Sequence, residues 1–300
     1  MPCTAYHPSF SHPLPAGHRF PMQKYALLHA QLQYEGVLEP HDFFEPTLVD
    51  PEHVLRVHDV AYWDKLKHLS LSSKEIRRIG FPLSAELIQR ELRIAQGSIQ
   101  AAVYALQHGL GFNIAGGTHH AGPDWGEGFC LLNDQAIAAA YLLDKALVKQ
   151  VLILDLDVHQ GNGTARIFNV EDRVFTCSMH GASNFPFNKE ESDWDLPLND
   201  HIQDAAYLEM LKQLLPKLIE RVRPDFVFYQ SGVDVLETDK LGKLSLSRMA
   251  CKERDDLVYQ AFSRVGLPVQ TSMGGGYSSS LREIVDAHCQ TFKSGIQAYG

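Results

Sequence analysis

The chain has 300 residues, of which 45% are hydrophobic and 21% charged, enough apolar material for one large core and too ordinary a mixture for a disordered or fibrous protein. The formal net charge of -9, with no clustered Lys and Arg, argues against nucleic acid as a direct partner. Cys3, Cys130, Cys177, Cys251 and Cys289 are odd in number, widely spaced and free of CxxC, so neither a disulfide framework nor a thiolate metal site is expected.

The proline-rich first eighty residues are expected to form loops and short helices around a later core. Helical periodicity then covers Glu86–His108, followed by the short apolar run Phe112–Ala115. A helix over Asp134–Leu147 leads to the runs Val151–Leu154 and Val174–Cys177. Helix Asp204–Val222, run Phe226–Tyr229, helix Ala250–Val265 and run Pro268–Ser272 complete the alternation. Strands buried on both faces and joined by helical crossovers predict an α/β fold, a parallel sheet flanked by helices on both faces. No repeat, low-complexity tract or linker marks a boundary, so residues 1–300 read as a single domain. With neither a leader nor an apolar run near the ~20 residues that span a bilayer, a cytoplasmic protein with no membrane partner is expected.

In such a sheet, ligands bind beyond the carboxyl ends of the strands. Those positions carry His119-His120, Asp155-Leu-Asp157-Val-His159, Ser178-Met-His180, Gln230-Ser-Gly-Val-Asp234 and Met273-Gly-Gly-Gly-Tyr277. Residues two apart on a strand share a face, so Asp155, Asp157 and His159 can converge. One imidazole with one or two carboxylates suits a divalent cation, and Asp234 offers a further oxygen; a set this small leaves an open position, as catalytic sites do. Each element has an ordinary use too: Asp-x-Asp-x-His as a capping loop, a histidine as a satisfied core residue, the glycines as a tight turn. Their gathering at one sheet edge favours chemistry.

These blocks, with Gly116-Gly-Thr-His-His-Ala121, Gly128-Phe-Cys130 and Asn133-Asp134, resemble the histone deacetylase family. Within it, His18-Arg-Phe-Pro-Met22 and Asp234–Leu244 look most like class IV deacetylases and their bacterial relatives. The resemblance implies the arginase–deacetylase fold and a zinc-dependent amidohydrolase acting on acyl-lysine in proteins or peptides, or on small acetylated amines such as acetylpolyamines. It implies Asp157, His159 and Asp234 as ligands of Zn2+, and a set this rich in oxygen also admits Fe2+. His119 and His120 become the proton-handling pair, with Asp155 as the partner of His119, and Tyr277 the hydroxyl facing the substrate carbonyl. A structural K+ or Na+ is implied near Asp155, Asp157, His159, Ser178 and Met179. Gly128, Phe129, Gly275 and either Phe185 or Phe187 would line the substrate tunnel, and Arg19 an exit cavity. Two departures stand out: Asn162 replaces the aspartate that partners the second histidine in class I, and Ser70–Gly80 holds no rim aspartate.

Two other functions are weighed. An arginase-like site with two manganese ions needs more carboxylates, yet Gly161 and Leu236 stand two residues beyond His159 and Asp234. A non-catalytic acyl-lysine binder would be expected to lack a ligand or the tyrosine. Neither oligomeric state nor acyl-chain length is legible.

Overall fold

The computed structural model describes residues 3–300. Eight strands form one sheet in the order β2-β1-β3-β8-β7-β4-β5-β6. They are β1 (Cys3–Ala5), β2 (Phe43–Phe44), β3 (Leu110–Asn113), β4 (Val151–Asp155), β5 (Val174–Gly181), β6 (Trp194–Leu198), β7 (Phe226–Gln230) and β8 (Val269–Ser272). Every pairing is parallel. The helices are α1 (Lys24–Tyr34), α2 (Pro51–Val54), α3 (Val60–Lys67), α4 (Ser73–Ile79), α5 (Ala85–His108), α6 (Asp134–Asp144), α7 (Asn162–Phe168), α8 (Asp204–Val222), α9 (Arg248–Ser263) and α10 (Leu281–Tyr299).

Strand β3 shows why helices cover both faces. Neighbouring residues on a strand point to opposite sides. Gly111 abuts the Ala101 carbonyl of α5, and Asn113 Nδ2 donates to Ile94 O of the same helix at 2.9 Å. Phe112, between them, stacks on Phe292 of α10 with ring centroids 4.3 Å apart. The close approach of α5 also explains a difference from expectation. The strand spans Leu110–Asn113 rather than the apolar run Phe112–Ala115, and it includes Gly111, where the helix requires a residue without Cβ.

The helix ends follow from local chemistry. Ser84 Oγ accepts from Leu87 N at 3.1 Å to open α5, and Gly109 closes it at φ 87°. Asn133 opens α6 by accepting from Ala136 N at 3.1 Å. Helix α6 stops at Asp144 rather than Leu147, and α9 begins at Arg248, capped by Ser247. The larger departure is in the N-terminal region, expected to lie around the sheet. Cys3–Ala5 and Phe43–Phe44 instead extend the sheet beyond β3 as its edge. They are too short to show a period; β1 pairs with β3, and β2 with β1. Among the described residues no helix is long and apolar enough to cross a membrane.

Candidate active site

The parallel sheet brings the carboxyl ends of β3, β8, β7, β4 and β5 together, and the polar residues of the sequence meet there. Asp155 ends β4 beside Ser178 of β5, its register partner, and Gln230 of β7. Asp157 and His159 follow in the turn after β4, Asp234 in the turn after β7, and Gly275 and Tyr277 after β8.

Asp157, His159 and Asp234 are buried, and their donor atoms lie within 4.8 Å of one another. His159 Nδ1 is 3.1 Å from Asp157 Oδ1 and 3.1 Å from Asp234 Oδ2. Backbone amides aim both carboxylates. Gly275 N donates to Asp157 Oδ2 at 2.9 Å, and Val158 N donates to Asp234 Oδ1 at 3.0 Å. A Cβ on Gly275 would collide with the Asp234 carboxylate, so glycine is required for that approach. Burial lowers the basicity of His159, yet the Asp157 and Asp234 hydrogen bonds raise its pKa to about 10. The two carboxylates thus favour positive charge at this buried point. One imidazole and two carboxylates, all converging, fit a divalent ion in an oxygen-rich, catalytic type of site.

His119 and His120 face this group, their ring centroids 4.1 Å apart. His119 Nδ1 donates to Asp155 Oδ2 at 2.6 Å, and its Nε2 lies 3.9 Å from Asp157 Oδ1. Burial disfavours its charge, but Asp155 and Asp157 raise its pKa to about 9. His120 Nδ1 is 2.7 Å from Asn162 Oδ1. Burial, then the charges on His119 and His159, hold its pKa well below the usual histidine value. Two adjacent imidazoles are thereby driven in opposite directions: carboxylates raise His119, while burial and the neighbouring imidazolium charges lower His120 against the small upward pull of Asn162. Tyr277 is kept protonated by burial and by Asp234 and Asp157. Its backbone N–H, not its hydroxyl, makes the hydrogen bond that anchors it, to Asp239 Oδ2 at 2.6 Å.

An outer cleft of about 350 Å³ leads down to these groups. Phe129 lies on one side, its centroid 5.9 Å from Tyr277; Phe185 lies against His120 at 5.0 Å. Gly128, at φ 57°, sits where a Cβ would strike the His120 ring. Phe187 reaches the rim but is 84% exposed, so Phe185 is the ring that approaches the histidines. Below lies an inner cavity of about 40 Å³. Arg19 does not reach it. Its guanidinium sits 5.0 Å over the Phe129 ring in the outer cleft, because Phe20 is the residue that turns inward. The guanidinium in the inner cavity belongs to Arg90, held by Phe10 O at 2.8 Å and by Glu91.

Ser178 Oγ lies 3.0 Å from His180 Nδ1, and Met179 is fully buried in β5. Asp155 Oδ1 accepts from Asp157 N at 3.0 Å, so this carboxylate ties the His119 side to the turn.

Sequence reasoning assigns no role to three polar groups that the structure places here. Asp134 holds the histidine loop by accepting from Thr118 N at 2.9 Å and from Ser272 Oγ at 3.0 Å. Lys24 is buried with its Nζ 3.2 Å from Gly274 O and 5.3 Å from the Tyr277 ring centroid. Glu127 accepts from Asn162 Nδ2 at 2.6 Å. Asp134 and Glu127 lie inside the motif blocks or beside them, and that position is the signal they offer; Lys24 is set in a helix with no pattern to single it out.

Solved structures share this architecture. A histone deacetylase homologue complexed with SAHA superposes with TM-score 0.85 at 22% identity, covering 99% of this chain and 88% of the other. A homologue from Aquifex aeolicus gives TM-score 0.85 at 23% identity, covering 98% of this chain and 83% of the other. The fold is therefore the arginase–deacetylase α/β fold. Residues 18–292 match the histone deacetylase domain family, and the chain belongs to that family. An uncharacterized protein of Picosynechococcus sp. is 43% identical over 98% of both chains. Histone deacetylase 2 of Arabidopsis thaliana is 28% identical over 90% of this chain and 72% of its own length. The acetoin utilization protein AcuC of Staphylococcus aureus is 28% identical over 87% of this chain and 73% of its own. Membership supports a deacetylase, a hydrolase of amide bonds.

Proposed function

We propose that residues 1–300 act as one cytoplasmic catalytic domain that hydrolyses the amide of acyl-lysine side chains in proteins or peptides. The observation that carries this is the placing of Asp157, His159 and Asp234 beside two histidines and a free tyrosine hydroxyl at the foot of an aromatic cleft. Those three residues would hold Zn2+, or Fe2+ in the same oxygen-rich set, and the ion, when bound, supplies carbonyl polarisation and a more acidic water. A monovalent K+ or Na+ is assigned to Asp155, Ser178 and the neighbouring Asp157, His159 and Met179, on the register pairing of Asp155 with Ser178.

The protein groups divide the proton work. His120, with the neutral Asn162 as partner, is unprotonated and takes the proton of the attacking water at Nε2. His119, paired with the Asp155 carboxylate, is the more basic and returns a proton to the departing amine. The Tyr277 hydroxyl donates to the oxygen on which negative charge develops, a contact of about 3–4 kcal/mol when preorganised. Phe129 and Phe185 flank the alkyl stem of the lysine.

The outer cleft favours acyl-lysine over acylated polyamine. Its lining includes no carboxylate, and beside Arg78, which Glu127 neutralises, it carries Arg19 and Lys243, which disfavour a polycationic carrier. Acetate release from an acetyl-lysine peptide and from N-acetylspermidine, measured side by side, tests the reading; hydrolysis of neither contradicts it.

A further inference from the structure

We propose that Glu127 is a positioning residue that decides which nitrogen of His120 carries the proton. The proposal rests on the reading of His120 as the proton acceptor.

Glu127 is a carboxylate between two glycines, with its side chain only 8% exposed. The loop is tied to the end of α4, where Gly128 N donates to Arg78 O at 3.2 Å and Phe129 N to Ile79 O at 2.7 Å. That attachment brings Arg78 Nε to 2.6 Å from Glu127 Oε2, while Oε1 receives Asn162 Nδ2 at 2.6 Å. The chain Arg78–Glu127–Asn162–His120 is thus continuous, ending at the 2.7 Å contact between Asn162 Oδ1 and His120 Nδ1.

The donors and acceptors along it have one self-consistent arrangement. An arginine only donates, and an ionised carboxylate only accepts. Asn162 must therefore turn its amide N–H towards Glu127 and its carbonyl towards His120. A carbonyl accepts, so His120 must carry its hydrogen on Nδ1. A neutral imidazole with Nδ1–H has its lone pair on Nε2, the nitrogen facing the reacting groups. An asparagine alone does not impose this. Its amide can rotate by 180°, present N–H to Nδ1, and leave the hydrogen on Nε2, where His120 accepts nothing. At this position the chain has an amide whose direction is set by a carboxylate one step further out.

The decisive variant is Glu127→Gln, which keeps the shape. Its single amide oxygen can serve Arg78 or Asn162, not both. When it serves Arg78, its NH2 faces Asn162 and the whole chain reverses. Long-range 1H–15N spectra of the histidines report the tautomer directly, and Glu127→Ala with a melting curve serves as a second variant. In the unsubstituted protein His120 is expected as the Nδ1–H form. In Glu127→Gln a substantial Nε2–H population is expected, with kcat lowered roughly ten-fold and KM little changed. In an Asn162→Ala background, the Glu127 substitution should add no further loss. An unchanged tautomer in a folded Glu127→Gln protein would overturn the proposal, as would an equal loss in the Asn162→Ala background. Should the unsubstituted protein hydrolyse no acyl-lysine, the functional reading fails, whereas the tautomer measurement still decides the role of Glu127.

Discussion

Asn162 meets His120 through its oxygen, at 2.7 Å, so the imidazole has a neutral partner where a carboxylate would make it more basic. Asn162→Asp should raise the pKa of His120 and move the acidic limb of the pH–rate profile upward. Glu127, 2.6 Å from the Asn162 amide, limits that shift. Two carboxylates at this distance would share a proton, and a protonated pair adds less negative charge. The upward shift is therefore expected to be larger in Asn162→Asp/Glu127→Gln than in Asn162→Asp alone. Identical profiles for the single and double variants would contradict the arrangement.

Tyr277 separates a transition-state contact from a structural one. Its anchoring hydrogen bond comes from the backbone, so removing the hydroxyl should leave the fold intact. Tyr277→Phe is expected to lower kcat by roughly 10²–10³ with KM and Tm nearly unchanged. Turnover at the unsubstituted rate would remove the tyrosine from the mechanism.

Metal loading should release a proton. A metal-binding imidazole must be neutral, and His159 is raised to about 10 by its carboxylate neighbours after the opposing effect of burial. Because that value lies above neutral pH, the proton is present before loading, and Zn2+ affinity should climb as pH rises towards it. Calorimetric titration at pH 8 in buffers of different ionisation enthalpy is expected to show about one proton released per ion. A buffer-independent enthalpy would count against it.

Carrier preference should follow the cleft charges. Arg19 and Lys243 are exposed cations at its rim, each worth about 1 kcal/mol or less in this wet setting. An acetyl-lysine peptide should outrun N-acetylspermidine in kcat/KM. Arg19→Glu/Lys243→Glu should narrow the ratio by roughly five- to ten-fold. A ratio insensitive to the double reversal would show that these cations do not select the carrier.

Much of this site is legible in the sequence because parallel strands deliver the residues after their carboxyl ends to one edge of the sheet. Asp157, His159 and Asp234 meet as their positions imply, and His119 meets Asp155 and His120 meets Asn162 as the family resemblance implies. The hidden parts depend on packing without a periodic trace. Arg19 is expected at an exit cavity; it lies exposed in the outer cleft beside an inward-turning Phe20, and the guanidinium of the inner cavity is that of Arg90 on α5. Strand β6 contains Pro197 and Asp195, tolerable only at the sheet edge that β5 provides. Helix α10, which begins after a glycine- and serine-rich turn, carries a strong apolar stripe, yet it lies beyond the last apolar run and so outside the strand–helix alternation.

The most direct test of the whole account is turnover of an acetyl-lysine peptide by protein stripped with a chelator and then titrated with Zn2+, alongside Asp157→Ala carried through the same treatment. The stripped protein is expected to be inactive, its activity to return and saturate near one ion per chain, and Asp157→Ala to recover none of it. Full turnover in the stripped protein, or in Asp157→Ala, would contradict it.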